Sequence, residues 1–321
     1  AARETPDERR LHEQPALRRD AANALRQLLE AVARAVYFLT GDAMPIINAS
    51  AEAYYADQIG DVPTLNQSTA KVLLQKSPLH AWMQHPRLGG QKREPSKTMD
   101  RGTVVHALLL EESTAGIVEL PYPDYRTKAA QADRDAIYAS GMTPMLSHEM
   151  NPCRQAVDAI RRQLESYQIK LSGKSEQTVC WTETAEGDPV LCRGRLDHVI
   201  GRTIIDLKTT GDGHPDAVQK AYVAHGYDIQ LAAYTRALAQ HEGCEPEDID
   251  FVNVVCEMEP PFITQVFIPD NEFRQLGTAK WLRAVSLWNK CLKSDQWPPY
   301  TTAPVVLTPP VWAVKEEERA A

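Results

Sequence analysis

Two runs of β-branched and aliphatic residues, separated by Gly201-Arg202, constrain this chain more than any other feature of its sequence. Gly-X is the pair that a two-residue type II′ turn prefers, so the segment predicts a β-hairpin. In that register Ile200 faces Thr203, and counting back places Asp197 directly opposite Asp206. Cross-strand partners have Cβ atoms roughly 5 Å apart, and like charges at that spacing destabilise the pair. The hairpin therefore predicts two carboxylates that need a compensating positive charge.

A lysine accompanies these carboxylates. Side chains alternate along a strand, so Lys208 shares a face with Asp206, whereas His198 and Leu207 point the other way. A hard cation such as Mg²⁺ takes oxygen ligands and would relieve the repulsion between Asp197 and Asp206. The pattern predicts a metal site with an attached lysine.

Acidic residues that flank a hairpin are more often part of a solvated surface, and this alternative competes with the metal site. The strands here are strongly apolar, with Val190, Leu191, Leu196, Val199, Ile204, Ile205 and Leu207. An exposed hairpin would not carry so many aliphatic residues, and burying charge without compensation is costly. The composition of the strands therefore favours the metal site.

The same hairpin resembles the core of the PD-(D/E)xK nucleases, with Asp197 as the first acid and Asp206-Leu207-Lys208 as a D-x-K variant of the second half-motif. Other segments, in the same order, resemble the RecE-type exonuclease (exonuclease VIII) family of the RecB-like branch: residues 65–68 with 77–80, 101–110, 173–176 with 179–181, and 226–234. The resemblance extends from about residue 50 to 270. Together with the order of predicted elements, it implies an α/β fold with a central mixed β-sheet flanked by helices.

The resemblance also implies how the site is composed. Mg²⁺, or Mn²⁺ as an alternative, would be bound by His106, Asp197, Asp206 and the backbone carbonyl of Leu207. Lys208 would position or activate the attacking water and offset the charge that builds on the phosphate. A histidine on a helix face is by itself more often structural, so the role of His106 depends on the resemblance.

Three further residues belong to this interpretation. Glu176 is the third predicted catalytic acid, although Glu183 and Glu186 lie nearby in the sequence. Gln230 and Tyr234, at positions i and i+4, present on one face of a helix. The resemblance places Gln230 near the scissile phosphate, whereas Tyr234 either supports DNA binding or packs in an apolar stripe.

Four more residues are candidates for DNA binding. Arg193 and Arg195 lie on the face of the metal site if the register holds, where they suit phosphate binding or pair with Asp206 or Glu176. Ser77 resembles a position near the DNA end, although a Ser-Pro step at a helix break needs no such role. Lys76 precedes it.

The formal net charge of −8 is unusual for a protein that binds DNA, because Lys and Arg supply the affinity for phosphate. Much of the acid lies in residues 242–250 and 316–318. Basic residues occur near the predicted site elements: Lys71, Lys76, Arg87, Lys92, Arg93, Lys97, Arg101, Arg193, Arg195 and Lys208. This distribution predicts an acidic exterior with a basic channel.

The rest of the composition bounds the class of protein. We expect a partly disordered helical extension over residues 1–50, a nuclease domain over 51–300, and a proline-rich and then acidic tail over 301–321. The six cysteines have no C-x₂-C pair, so we expect reduced core thiols and no iron–sulfur cluster. No apolar run has the length of a membrane span and no signal peptide is evident, which predicts a cytoplasmic protein, bacterial or phage-encoded.

Periodicity predicts most of the remaining elements. Helices are expected over residues 20–39, 68–83 with a break near Ser77-Pro78, 102–112, 127–140, 152–165, 217–240 and 271–293. Strands are expected within residues 169–209 and over 251–257 and 263–268, with a basic loop over 89–97.

The residues themselves predict only hydrolysis of a phosphodiester. The resemblance implies an exonuclease that degrades linear double-stranded DNA from the 5′ end, leaves a 3′ overhang for a single-strand-annealing recombinase, and forms a ring-shaped homo-oligomer, a trimer or tetramer. Two alternatives stay open: a RecB-like endonuclease or single-strand nuclease, and a catalytically weak module that binds DNA ends beside a recombinase.

Overall fold

A computed structural model describes residues 49–91 and 96–320 of the chain. The predicted helix over residues 20–39 and the basic residues Lys92 and Arg93 lie outside these ranges. The helices and strands, in chain order, are α1 (Ala51–Tyr55), α2 (Gln67–Gln75), α3 (Pro78–Gln84), α4 (Lys97–His106), a π-helical segment (Ala107–Glu111), β1 (Ile117–Leu120), α5 (Lys128–Ala139), β2 (Thr143–Leu146), α6 (Ser147–Ser166), β3 (Lys174–Ala185), β4 (Asp188–Ile200), β5 (Thr203–Thr210), α7 (Pro215–Ala224), α8 (Tyr227–Glu242), a 3₁₀ turn (Pro246–Asp248), β6 (Asp250–Glu257), β7 (Thr264–Phe267), α9 (Asn271–Ser294) and α10 (Val311–Ala320).

The central element is a five-stranded sheet in the order β3-β4-β5-β6-β7. Strands β5 and β6 run parallel, and the other neighbours run antiparallel. The predicted α/β fold with a central mixed sheet flanked by helices is therefore confirmed. A separate two-stranded parallel sheet, β1-β2, was not expected from the sequence, because its strands are only four residues long.

The two faces of the central sheet are covered by different helices. Leu207 points toward α6, where it joins the apolar core with Met150, Ile160 and Val254. On the opposite face Gln230 of α8 reaches Asp206, and α9 packs against α8, β3 and β4. Because side chains alternate along β5, Ile205 and Leu207 pack against α6, whereas Asp206 and Lys208 face α8.

The β4-β5 hairpin has the register that the turn predicts. Ile200 pairs with Thr203, and Gly201 has φ +56°, as the first central position of a type II′ turn requires. The ladder continues to His198 opposite Ile205 and ends there. One step further the same register places Asp197 and Asp206 side by side, at the point where the two strands separate.

The structure changes several element boundaries. The helix expected over residues 217–240 is two helices, α7 and α8, separated at Gly226, which has φ +67°. Helix α2 begins at Gln67 and is capped by Asn66, whose side chain accepts the amide of Thr69. Helix α6 begins at Ser147, one turn before Pro152, and part of the expected tail forms α10. No helix in the described part of the chain is long and apolar enough to cross a membrane.

Candidate active site

Three side chains from different elements converge where β4 and β5 separate. His106, Glu176 and Asp197 each offer one ligand atom, and these atoms lie within 4.8 Å of one another. The Nδ1 atom of His106 lies 3.7 Å from Oε1 of Glu176 and 3.8 Å from Oδ2 of Asp197. All three residues are partly exposed, so the cluster is open to solvent while most of each side chain is enclosed.

His106 reaches the cluster from the end of α4. The α-helix changes there into the π-helical segment Ala107–Glu111, an uncommon geometry that often occurs at functional sites. The Nε2 atom of His106 lies 3.2 Å from the backbone carbonyl oxygen of Leu207. The structure thus brings together His106, Asp197 and the Leu207 carbonyl, three of the predicted ligand groups.

Glu176 enters the cluster through an irregular point in β3. Its φ is +52°, in the left-handed region that a residue with a Cβ atom rarely adopts. Ser175 pairs with His198 and Gln177 pairs with Leu196, so the ladder keeps its register on both sides of Glu176. The left-handed conformation at Glu176 therefore changes the direction of this one side chain while the strand keeps its position. It brings the Glu176 carboxylate beside Asp197.

Asp206 lies next to this cluster rather than in it. The residue is inaccessible to solvent, and both of its carboxylate oxygens accept hydrogen bonds. Oδ1 accepts the amide of Gln230 at 2.6 Å, and Oδ2 accepts the amide of Asn253 at 2.8 Å. Oδ2 also lies 2.7 Å from Nζ of Lys208. Direct metal ligation by Asp206 stays a prediction, while its contact with Lys208 and Gln230 is a feature of the structure.

Lys208 is held from two sides. Its ammonium group pairs with Asp206 and lies 4.9 Å from the centroid of the Tyr227 ring, where the face of an aromatic ring attracts a cation. Burial lowers the pKa of Lys208, but the charges of Asp206 and Asp197 outweigh it and raise the pKa. Lys208 therefore remains charged at neutral pH in the metal-free protein and acts as a hydrogen-bond donor.

The carboxylates and the histidine also shift each other's protonation. Burial and the charge of Asp206 raise the pKa of Asp197 to about 6, although His106 and Lys208 oppose them. Burial alone would lower the pKa of His106, but Asp197 and Glu176 raise it to about 9. Burial would raise the pKa of Glu176, but His106 and Arg195 lower it. In the metal-free protein the imidazolium of His106 thus supplies the positive charge that these carboxylates need.

Arg193 does not take the predicted position at the metal site. Its side chain is 2% exposed, and it packs beneath α1 and the loop that follows. The guanidinium donates to the carbonyl oxygens of Tyr54 and Thr64 and pairs with Asp57 at 2.9 Å. The prediction that Arg193 binds DNA is wrong, because the charge is buried and neutralised inside the protein.

Tyr234 and Ser77 are also buried, at 3% and 2% exposure, and the prediction that they contact DNA is likewise wrong. Tyr234 packs against the backbone of β4, where a Cβ atom at Gly194 would lie 3.0 Å from its ring. Ser77 caps α3 by accepting the amide of His80, and its hydroxyl lies 2.7 Å from Nδ1 of His80. Lys76, next to it, is exposed, and its contact with DNA stays a prediction.

Arg195 lies at the site but has a protein partner. Its Nε donates to Oε2 of Glu176 at 2.7 Å, and its NH1 donates to the hydroxyl of Thr178 at 3.0 Å. Of the two roles left open for this arginine, the structure shows the ion pair with Glu176. Glu183, one of the alternatives to Glu176, is buried and bound by Arg236 of α8.

Most other basic residues near the site also contact the protein. Lys97 pairs with Glu149, and Arg101 pairs with Glu259 and donates to the carbonyl of Met258. Arg87 donates to three backbone carbonyls between residues 60 and 62. A continuous basic channel is therefore not formed by these side chains.

Two residues connected to the site were not among the candidates from the sequence. Asn253 of β6 lies directly opposite Asp206 in the ladder, and Tyr222 of α7 donates its hydroxyl to Oδ1 of Asn253 at 2.6 Å. The available signal was the asparagine itself, a polar residue within the apolar run of β6. The contact of this asparagine with Asp206 could be recognised only once β6 was known to be the parallel neighbour of β5.

The donor set suits a divalent metal ion. Two carboxylates and a backbone carbonyl, the oxygen ligands that suit Mg²⁺ and Mn²⁺, converge with one imidazole. Glu176 and Asp197 are acidic groups in a partly enclosed space. In the metal-free protein the protonated His106 and Lys208 balance their negative charge. These observations support a metal site formed by His106, Glu176, Asp197 and the Leu207 carbonyl.

Comparisons with known proteins agree with this geometry. Residues 68–303 match the model of a family described as "PDDEXK-like domain of unknown function (DUF3799)". The crystal structure of a protein from Eubacterium rectale named "Putative exonuclease" is similar with a TM-score of 0.55 and 16% sequence identity, covering 84% of this chain and 98% of that one. A structure of SSO0001 covers 65% of this chain and 96% of that one at 14% identity, and its TM-score of 0.27 does not establish a shared fold. No curated protein matches the sequence.

Proposed function

The chain belongs to the family described as PDDEXK-like domain of unknown function, within the PD-(D/E)xK nuclease superfamily, and on that basis we propose that it is a metal-dependent deoxyribonuclease that degrades linear double-stranded DNA. One observation carries the proposal. The cluster of His106, Glu176, Asp197 and the Leu207 carbonyl lies directly beside the buried pair of Asp206 and Lys208. The site thus combines metal-ligand groups with a positioned cation.

A divalent cation held by this cluster would polarise the scissile phosphate and make a bound water more acidic. The residues of the chain determine how the substrate is met. Lys208 presents an ammonium group fixed between Asp206 and the Tyr227 ring, so it can donate to the attacking water or to a phosphate oxygen. It offsets negative charge as the phosphate becomes five-coordinate.

Gln230 and Arg195 each hold one acid of this arrangement. Gln230 donates to Asp206 and keeps its carboxylate directed at Lys208. Arg195 donates to one oxygen of Glu176 and leaves the other directed at His106. Each predicted catalytic side chain is therefore fixed by a neighbour, which reduces the reorganisation needed during the reaction.

The polarity and the biological setting rest on the resemblance to RecE-type exonucleases. It supports digestion from the 5′ end, a 3′ single-stranded overhang, and use of that overhang by an annealing recombinase. It also supports a homo-oligomer, which would thread the duplex through a ring.

The test is digestion of a linear duplex labelled separately at its 5′ and 3′ ends, with Mg²⁺, Mn²⁺ or EDTA, beside a closed circular duplex. Wild type is compared with Lys208→Ala and Asp206→Ala. We expect metal-dependent release of the 5′ label, intact circles, and loss of release in both variants. Cutting of circles would favour an endonuclease. A labelled single strand is digested in parallel, and degradation of this substrate alone would favour a single-strand nuclease. Binding to DNA ends without cleavage would indicate a catalytically weak module.

A further inference from the structure

Asp206 is held by a chain of buried polar residues that begins on the neighbouring strand. Asn253 and Tyr222 are 1% and 4% exposed, and they connect α7 to the carboxylate through two hydrogen bonds. The Tyr222 hydroxyl donates to Oδ1 of Asn253 at 2.6 Å, and Nδ2 of Asn253 donates to Oδ2 of Asp206 at 2.8 Å. An asparagine in an apolar strand interior is costly unless its amide is bonded in this way.

The direction of the asparagine amide is fixed by its two partners. The carboxylate of Asp206 accepts hydrogen bonds only, so it requires the NH₂ group of Asn253. Tyr222 supplies a donor to the remaining amide oxygen, and its ring packs 4.9 Å from the centroid of Phe273. The carboxylate therefore sets which end of the amide faces Asp206, and the tyrosine holds that orientation by donating to the amide oxygen.

The cross-strand register makes this contact possible. Asp206 and Asn253 are direct partners in the parallel β5-β6 ladder, so their side chains project from the same face of the sheet. Gln230 donates to the other carboxylate oxygen from α8. Amide donors on both oxygens prevent the carboxylate from rotating, and Lys208 binds the oxygen that Asn253 also holds.

We infer that Asn253 is a positioning residue of this active site, oriented by Tyr222, and that it acts by fixing the Asp206 carboxylate against Lys208. The inference rests on the proposed nuclease function and deepens it. Asn253 reaches the site through Asp206, and Tyr222 reaches it through Asn253. Partners of this kind typically change activity or metal affinity about 10- to 100-fold when they are removed.

The decisive variant is Asn253→Leu, which keeps a similar volume and removes the donor. We expect kcat to fall about 10- to 100-fold with an unchanged KM for duplex DNA. Tyr222→Phe keeps the ring and should reduce kcat about 2- to 10-fold, as expected for one neutral hydrogen bond. The double variant should be no slower than Asn253→Leu alone, because the tyrosine acts through the asparagine.

Asn289→Leu is the matched control. Asn289 of α9 is also a buried asparagine, but it donates to the carbonyl of Ala185, the last residue of β3, whereas Glu176 lies near the first residue of that strand. The control should lower thermal stability without changing kcat. If Asn253→Leu and Asn289→Leu affect stability alike and both keep the wild-type kcat, the inference is overturned.

A second readout does not need catalysis. Binding of Mn²⁺ to the DNA-free protein, measured by electron paramagnetic resonance, should be weaker in Asn253→Leu and unchanged in Asn289→Leu. A wild type that binds Mn²⁺ but cleaves no DNA would contradict the proposed function while leaving this comparison intact. Equal Mn²⁺ affinity in wild type and Asn253→Leu, with equal kcat where cleavage occurs, would contradict the positioning role.

Discussion

The imidazole of His106 lies with its Nε2 atom 3.2 Å from the carbonyl oxygen of Leu207. A carbonyl oxygen only accepts hydrogen bonds, so in the metal-free protein Nε2 must carry a proton and donate it. Nδ1 faces the carboxylates of Glu176 and Asp197, and the raised pKa of the imidazole means that it is protonated as well. A metal ion that binds either nitrogen must displace the proton there. His106 therefore couples metal binding to proton release.

The first prediction concerns this coupling. Asp197 and Glu176 raise the pKa of His106 to about 9, so the residue is protonated at pH 7.5 before the metal binds. We expect Mn²⁺ binding to release about one proton at that pH and to become tighter as the pH rises toward 9. Isothermal titration calorimetry in buffers of different ionisation enthalpy measures the number of protons released.

His106→Asn is the control, because asparagine has no proton to release in this range. The variant should bind Mn²⁺ more weakly and with less proton release than wild type. Identical proton release in both proteins would show that His106 does not exchange its proton for the metal.

How far the sequence could predict the site depends on the range of each contact. The turn at Gly201-Arg202 defined the register of β4 and β5, because it is a local feature with few allowed geometries. Asp57 and Arg193 could not be paired from the sequence, since nothing local indicates that the segment after α1 covers β4. The alternation of side chains along β4 placed Arg193 on the same face as Asp197. It could not show that α1 and the loop after it cover that face at Arg193.

The same distinction explains the helix boundaries. The apolar spacing across residues 217–240 continues through Gly226, so periodicity alone predicted one helix. The backbone turns into the left-handed region at that glycine, and α8 starts in a new direction that brings Gln230 to Asp206. The site needs this change of direction so that Gln230 can reach Asp206. In the sequence, the only sign of it is Gly226.

A second prediction tests the structural role of Arg193. Its guanidinium neutralises Asp57, which is inaccessible to solvent, so Arg193→Met would leave a buried carboxylate with less compensation. We expect the free energy of unfolding to fall by about 3–5 kcal/mol. Denaturation in urea measures this change.

The double variant Asp57→Asn with Arg193→Met should recover part of the loss, since it removes both charges. Binding of a DNA duplex by the folded fraction of each variant should match wild type. A large loss of DNA affinity at unchanged stability would restore the original assignment of Arg193 to DNA binding.

A third prediction concerns His85, which lies buried beside the same carboxylate. Its Nε2 atom lies 3.1 Å from the carbonyl oxygen of Thr64, and its Nδ1 accepts the amide of Arg87 at 3.3 Å. A neutral imidazole with the proton on Nε2 satisfies both contacts. Burial lowers the pKa of His85 to about 4, because Arg193 adds to the effect and Asp57 only partly opposes it.

The sign of the pH effect follows from that shift. Between pH 6.5 and 4 the unfolded chain binds a proton at this position and the folded protein does not, so stability falls as the pH decreases. Wild type should lose about 3 kcal/mol more than His85→Gln between pH 7 and 4. Urea denaturation at several pH values measures the difference, and parallel pH profiles for the two proteins would refute it.

The last prediction concerns the backbone of Glu176. A residue with a Cβ atom at φ +52° carries a cost of roughly 1–2 kcal/mol, which glycine avoids. In an ordinary strand alanine is more stable than glycine by about 0.5–1 kcal/mol. At this position we expect the reverse order, with Glu176→Gly more stable than Glu176→Ala by about 1 kcal/mol, because both variants lose the same carboxylate and differ only in the backbone. The free energies of unfolding of the two variants measure the difference directly.

Both variants should bind Mn²⁺ more weakly than wild type, since each lacks one member of the ligand cluster. If alanine proved the more stable, the left-handed conformation would not be the resting state of this residue, and the strain would have to be assigned to the metal-bound form instead.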